Sequence, residues 1–225
     1  MPKVKNREPL WFLLGATAVS VVLSLIPLAR MAVYPIRLFV TFIHEGGHAA
    51  AAILTLGQVD SLHVYLDASG QTLTRGGFGL AIASAGYLTS TAFGAGLLIL
   101  GSQTKRANAA LTGCACLVLL IGFLAGDLAT FAMGIGLALV LVGIAIKASP
   151  SLAHFVLSFL AVQCCLNAVM DLQTLFVIST TTNVHSDAAN MAQMTLIPAA
   201  VWAVLWLGLS AVALIFALRS YVRHL

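Results

Sequence analysis

Apolar runs about as long as a bilayer is thick follow one another along almost the whole chain, and nothing in the sequence constrains the fold more. A helix rises ~1.5 Å per residue, so ~20 apolar residues cross a hydrocarbon core of ~30 Å. The sequence predicts such spans near residues 10–31, 35–56, 78–100, 108–125, 128–146, 151–178 and 196–218. Pro35, Gly57–Gly77, Lys105-Arg106, Gly126-Asp127, Ser149-Pro150 and Ser179–Asn190 mark the breaks between them. Of 225 residues 60% are hydrophobic and 8% charged, too little charge to cover a water-soluble domain of this size. The expected fold is an all-α integral membrane protein, a single polytopic domain of six to seven transmembrane helices.

Lys3, Lys5 and Arg7 precede the first run, as in a signal peptide, but the run continues to about Leu28 without a clear small-residue cleavage site and reads as a retained span. Two topologies fit the basic residues. Seven crossings put the N-terminus outside; six, with the second segment dipping in and out, put it inside. Both place Lys105, Arg106, Lys147 and the C-terminus in the cytosol by the positive-inside rule. The Ala, Leu and Gly bias suggests a bacterial cytoplasmic membrane. The net charge of +4 is spread along the chain with no basic cluster, which argues against nucleic acid and leaves the lipid bilayer as the expected surrounding. Cys114, Cys116, Cys164 and Cys165 lie inside apolar runs and read as small buried hydrophobes.

One loop carries a different period. Between Val59 and Leu73, Leu62, Val64 and Leu66 alternate with Ser61, His63, Tyr65 and Asp67, and Ala68-Ser69-Gly70 interrupts the pattern. That is a β-hairpin signal, placed at the membrane surface just after the second apolar segment.

The second segment contains His44-Glu45-Gly46-Gly47-His48, an HExxH motif. On a helix the two histidines stand at i and i+4 and project from one face, so two imidazole nitrogens can grip one Zn²⁺. Glu45 beside them can take a proton from water polarised by the ion. With six His and two Glu in the chain, a chance HExxH arises on the order of once per thousand such sequences. Three ionisable side chains within five residues of an apolar run are costly in a bilayer and point to function. His63 on the hairpin reads as a surface histidine, His154 and His224 as incidental, and Asp127 as a solvated turn residue.

A zinc ion needs a third protein ligand. Six residues past His48, where metzincins have a third histidine, stands Leu54, and the remaining glutamate is Glu8 in the N-terminal tail. An Asp or a distant His is left. Gln163, Asn167, Asp171 and Thr174 fall on one polar stripe of the sixth predicted span, and Asp171 lies at a depth similar to that of His48. Asn167 could orient it or bind substrate backbone. A second candidate is Asp187 in His185-Ser186-Asp187, which could serve as ligand or supporting partner, or cap a helix starting near Ala188. The glycines and small residues from Gly76 to Gly86 allow close helix approach and could hold the hairpin and the metal helix in register.

These features together resemble the site-2 protease class of intramembrane zinc metalloproteases. The resemblance covers roughly residues 35–206 and rests on His44-Glu45-Gly46-Gly47-His48-Ala49, the hairpin, Ser84-Ala85-Gly86-Tyr87, and Asn167 with Asp171. It is closest to a compact branch without a PDZ domain, matched by Asp171-Leu172 and Ser186-Asp187-Ala188. Larger members have prolines and a glycine around the late Asn and Asp; Asn167-Ala-Val-Met-Asp171 lacks them. The resemblance implies one zinc ion held by His44, His48 and Asp171, with Glu45 as general base and a transmembrane protein as substrate. The competing expectations are a non-proteolytic scaffold or chaperone that keeps the metal site, and a metal transporter. The intact Glu45 disfavours the first, and the clustering of ionisable groups at one depth disfavours the second.

Overall fold

A computed structural model describes residues 11, 14–19, 33–101, 106–178 and 186–223, with side chains described except at 167–178. The predicted first span, near 10–31, falls mostly outside this set. The described order is α1 (Tyr34–Leu54), β1 (Gln58–Val64), β2 (Gly70–Arg75), α2 (Gly79–Gly101), α3 (Ala107–Leu124), α4 (Leu128–Lys147), α5 (Pro150–Ile178), α6 (Asp187–Thr195) and α7 (Ala199–Arg223). The sequence places these elements to within a few residues, because Pro, Gly and polar runs interrupt otherwise continuous apolar helix.

Among the described residues four helices are long and apolar enough to cross a membrane: α2, α3, α4 and α7. The six or seven predicted crossings are thus not all represented. The apolar part of α5 described with its side chains, Pro150–Leu166, is shorter, and α1, which carries Arg37 and the HExxH motif, is not among the four. Leu139, Phe216 and Leu124 are each about two-thirds exposed on the outer faces of α4, α7 and α3 (68%, 65% and 66%). In water such apolar area would cost ~25 cal/mol per Å². A lipid surrounding removes that cost, and the chain is an integral membrane protein.

Helix α2 is central, packing against α1, α5 and α7, while α3 pairs with α4. Lipid tails are as apolar as leucine, so burial supplies little force between such helices and close packing takes over. Small residues make that packing possible. A Cβ on Gly94 of α2 would lie 2.6 Å from the Ala161 carbonyl oxygen and 2.8 Å from Cys165 Sγ on α5. A Cβ on Gly47 of the HExxH motif would lie 2.8 Å from Thr89 Cβ on α2. Phe39, Phe42, Leu111, Val118, Leu157 and Leu160 fill the core between these helices. Cys114, Cys164 and Cys165 are buried in it as expected; Cys116 is instead exposed on the outer face of α3.

The hairpin forms as predicted, a two-stranded antiparallel sheet with Leu62 opposite Thr72 and Val64 opposite Gly70. Leu62 and Val64 are buried, while Leu66, at the turn, is exposed. The turn closes through Tyr65 N–H to the Ser69 carbonyl (2.8 Å), with Ala68 in the left-handed region at φ 64°. Two helices hold the hairpin. From α1, Thr41 Oγ1 donates to the Ala68 carbonyl at 2.7 Å and the Arg37 guanidinium to the Asp67 carbonyl at 3.4 Å. From the start of α4, Thr130 Oγ1 accepts the Val64 N–H at 3.0 Å and donates to Asp127 Oδ2 at 2.6 Å, and His63 Nδ1 lies 3.5 Å from the same oxygen. Asp127 caps α4 by accepting from Ala129 N and Thr130 N. Hydrogen bonds from the Thr130 hydroxyl and amide, with those from Ala129 N–H and His63, pull its carboxyl down to about 2.

Candidate metal centre

Helix α1 brings His44 and His48 to one face, one turn apart, as the i, i+4 spacing requires. Their Nε2 atoms are 3.1 Å apart. Asp187 Oδ2 lies 3.2 Å from each of them. Among the described residues this is the one group of three His, Cys, Asp or Glu side chains placed to hold a metal ion.

Each donor is oriented by its own neighbours. His48 is buried, 6% exposed, and its Nδ1 is 2.7 Å from the Ile82 carbonyl of α2. A carbonyl oxygen can only accept, so Nδ1 carries the proton and the lone pair of a neutral ring sits on Nε2, facing the cluster. His44 packs edge-on against the Tyr87 ring (centroids 4.8 Å apart), and Tyr87 stacks on Trp206 of α7 at 4.9 Å.

Asp187 arrives by a different route, on the first turn of α6. Ser186 is the N-cap, its hydroxyl accepting from Ala189 N at 3.2 Å. The adjacent carboxylate is thereby left for the imidazoles: Ser186, and not Asp187, caps the helix. Ala188 and Met191 pack against Ala83, Tyr87 and Trp206, and Trp202 Nε1 donates to Thr195 Oγ1 at 3.1 Å, so α6 is seated between α2 and α7. Burial pushes the Asp187 carboxyl up, but His44 and His48 in their protonated form, each donating from Nε2 when no metal is bound, outweigh it and hold the group well below the usual carboxylate range.

Glu45 points to the hairpin side of α1. It is 5% exposed, and its Oε2 accepts from Thr72 Oγ1 at 2.6 Å. The described side chains thus bring together His44, His48 and Asp187, with Glu45 next in sequence. Asn167 and Asp171 lie on α5, and their side chains fall outside the described ones. Thr72 and the Ile82 carbonyl are site residues that no sequence motif flags; each becomes visible only when the hairpin and α2 are packed on α1.

A family model described as Peptidase M50B-like matches residues 13–217. The chain belongs to the M50B peptidase family, the site-2 protease class. No curated protein and no solved structure matches it. The M50B match spans the helices that carry the HExxH motif and Asp187 as well as the hairpin between α1 and α2.

Enzymes of this family use zinc, and the donor set fits that ion. Two imidazole nitrogens and one carboxylate oxygen are standard zinc ligands, and ligand distances of ~2.0–2.1 Å in a tetrahedron set donors ~3.3 Å apart. The three observed separations are 3.1, 3.2 and 3.2 Å. Space beside the donors is kept by Gly86 of α2, where a Cβ would abut His44 Nε2 and lie 2.5 Å from His48 Nε2. The small residue at 86 therefore does more than bring helices together. Gly86→Ala is expected to overpack the centre by ~1–3 kcal/mol and to weaken zinc binding by about tenfold or more. A zinc titration of the purified variant checks this; unchanged affinity would show that the ion needs no room at Gly86.

Proposed function

We propose that this M50B peptidase is an intramembrane zinc metalloendopeptidase that hydrolyses peptide bonds of membrane-embedded protein substrates. The observation that carries the proposal is the convergence of both HExxH imidazoles with the Asp187 carboxylate, next to a buried glutamate, among membrane-length helices. In this reading His44, His48 and Asp187 hold the ion. Zinc bound there supplies a nucleophile at neutral pH by lowering the pKa of water to ~7. Glu45 is the general base: it receives the proton at a carboxylate oxygen and returns it to the leaving amine. Ile82 and Ser186 keep His48 and Asp187 in their working orientations.

A transmembrane helix hides its peptide bonds in its own hydrogen bonds and must open before hydrolysis. The sheet has two strands, so β2 leaves one edge unpaired with any other strand among the described residues. An unwound substrate can add there as a further strand. On the positive-inside rule we place Lys147, Arg219 and Arg223 on the cytosolic side.

Metal removal tests the proposal. Detergent-purified protein is expected to hold about one zinc per chain. A chelator should remove the zinc and the cleavage of a reconstituted transmembrane substrate together, and added zinc should restore both. Cleavage that persists in zinc-free protein would overturn the assignment.

A further inference from the structure

We propose that Thr72, on strand β2, is a positioning residue for the Glu45 base, so that the hairpin orients the carboxylate. This rests on the reading of Glu45 as the proton acceptor. The contact is direct: Thr72 Oγ1 donates to Glu45 Oε2 at 2.6 Å and lies 3.3 Å from the Glu45 carbonyl oxygen. Two residues earlier on the same face of β2, Gly70 closes the other side. A Cβ there would lie 2.5 Å from Glu45 Oε1, 2.6 Å from Glu45 Cγ and 2.7 Å from Thr41 Cγ2. Glu45 is thus held by a hydroxyl at one oxygen and a bare strand backbone at the other.

The hold is part of a larger seam. Arg37, Thr41 and Glu45 stand at i, i+4 and i+8 on α1 and meet Asp67, Ala68 and Thr72 of the hairpin in the same order. Residues at that spacing share one helix face, so a single stripe of α1 is hydrogen-bonded along the hairpin. On the opposite strand, Val64 N–H bonds to Thr130 Oγ1. The hairpin is therefore tied to α1 and to α4, and the direction of the Glu45 carboxylate follows from the seating of β2. A glutamate has several rotatable bonds, and a buried carboxylate without a donor would turn to find one. The Thr72 hydroxyl supplies that donor and selects one rotamer.

Thr72→Val keeps the β-branched shape and removes the donor; Thr72→Ser keeps the donor. The hydroxyl is expected to act on turnover. With a reconstituted transmembrane substrate, Thr72→Val should lower kcat by about 10- to 100-fold, in line with the cost of small misplacements of reacting groups, with KM and zinc content unchanged. Thr72→Ser should recover most of the rate. A second readout needs no catalysis. The chain has two glutamates, Glu8 and Glu45, so protein carrying ¹³C-carboxyl glutamate gives one resonance from each, and Glu45→Gln identifies the buried one. In the full-length protein that resonance should move in Thr72→Val and return in Thr72→Ser. A resonance that follows Thr72 in protein with no peptidase activity would support the positioning and defeat the proposed function. A resonance indifferent to Thr72, equal kcat in Thr72→Val and wild type, or Thr72→Ser as slow as Thr72→Val would overturn the positioning.

Discussion

Glu45→Gln should abolish cleavage while leaving the zinc in place. Glutamine cannot accept a proton at neutral pH, and removing a general base costs ~10²–10⁴-fold in rate. A loss of about 10³-fold is expected in the cleavage rate of a reconstituted transmembrane substrate. The metal should be unaffected, because the three clustered donors belong to His44, His48 and Asp187, and Glu45 is directed to the hairpin. The fold should also hold. Glutamine is isosteric, and its amide oxygen can still accept from Thr72 at the position of Glu45 Oε2. Elemental analysis of the same preparation separates the two properties. Full cleavage by Glu45→Gln would remove the catalytic reading and leave a metal-holding scaffold or chaperone as the better account, as would a cellular phenotype that ignores Glu45→Ala.

Asp187→Ala should empty the centre. It deletes one of three donors and leaves two imidazoles at 3.1 Å. Loss of groups that merely support a ligand already costs ~10–100-fold in metal affinity, so loss of the donor itself should exceed about 100-fold. The variant should remain folded, because α6 is seated by Ala188 and Met191 and capped by Ser186, none of which is changed. At the first turn of a helix the lost negative charge costs a further ~0.3–1 kcal/mol, which is small against the stability of a packed bundle. His48→Ala should lose zinc as well. Asp171→Ala is the decisive companion, since the sequence offers it as the other third ligand. In the proposed ligand set it keeps about one zinc per chain. The reverse pattern, with Asp187→Ala full and Asp171→Ala empty, would transfer the ligand role to α5.

Much of the centre is legible in the linear order because it is local. His44, Glu45 and His48 lie within one and a half turns of one helix, and helical periodicity alone places the imidazoles together. The hairpin is equally local: alternation of apolar and polar residues on either side of a short turn announces it, and β1 and β2 appear where that alternation runs. The break residues set the helix limits for the same reason, since Pro and Gly act on their own backbone and on that of their neighbours.

The third donor is not local. Asp187 and His44 are 143 residues apart, and in the sequence the polar stripe of α5 and the Ser186-Asp187 pair both offer a carboxylate. What brings Asp187 to the imidazoles is the seating of α6 against Tyr87 and Trp206, together with a cap on Ser186 that frees its neighbour. The same holds for Gly86, whose missing side chain matters because α2 crosses α1 at that level, and for Thr72, whose hydroxyl meets Glu45 because β2 lies along α1. The sequence by itself determined the membrane setting and the HExxH face that pairs His44 with His48 beside Glu45, since these follow from composition and from spacing within single elements. Only the tertiary structure shows that Asp187 lies against the two imidazoles, that Gly86 leaves space beside them and that Thr72 bonds to Glu45, because those depend on side-chain distances between elements far apart in the chain.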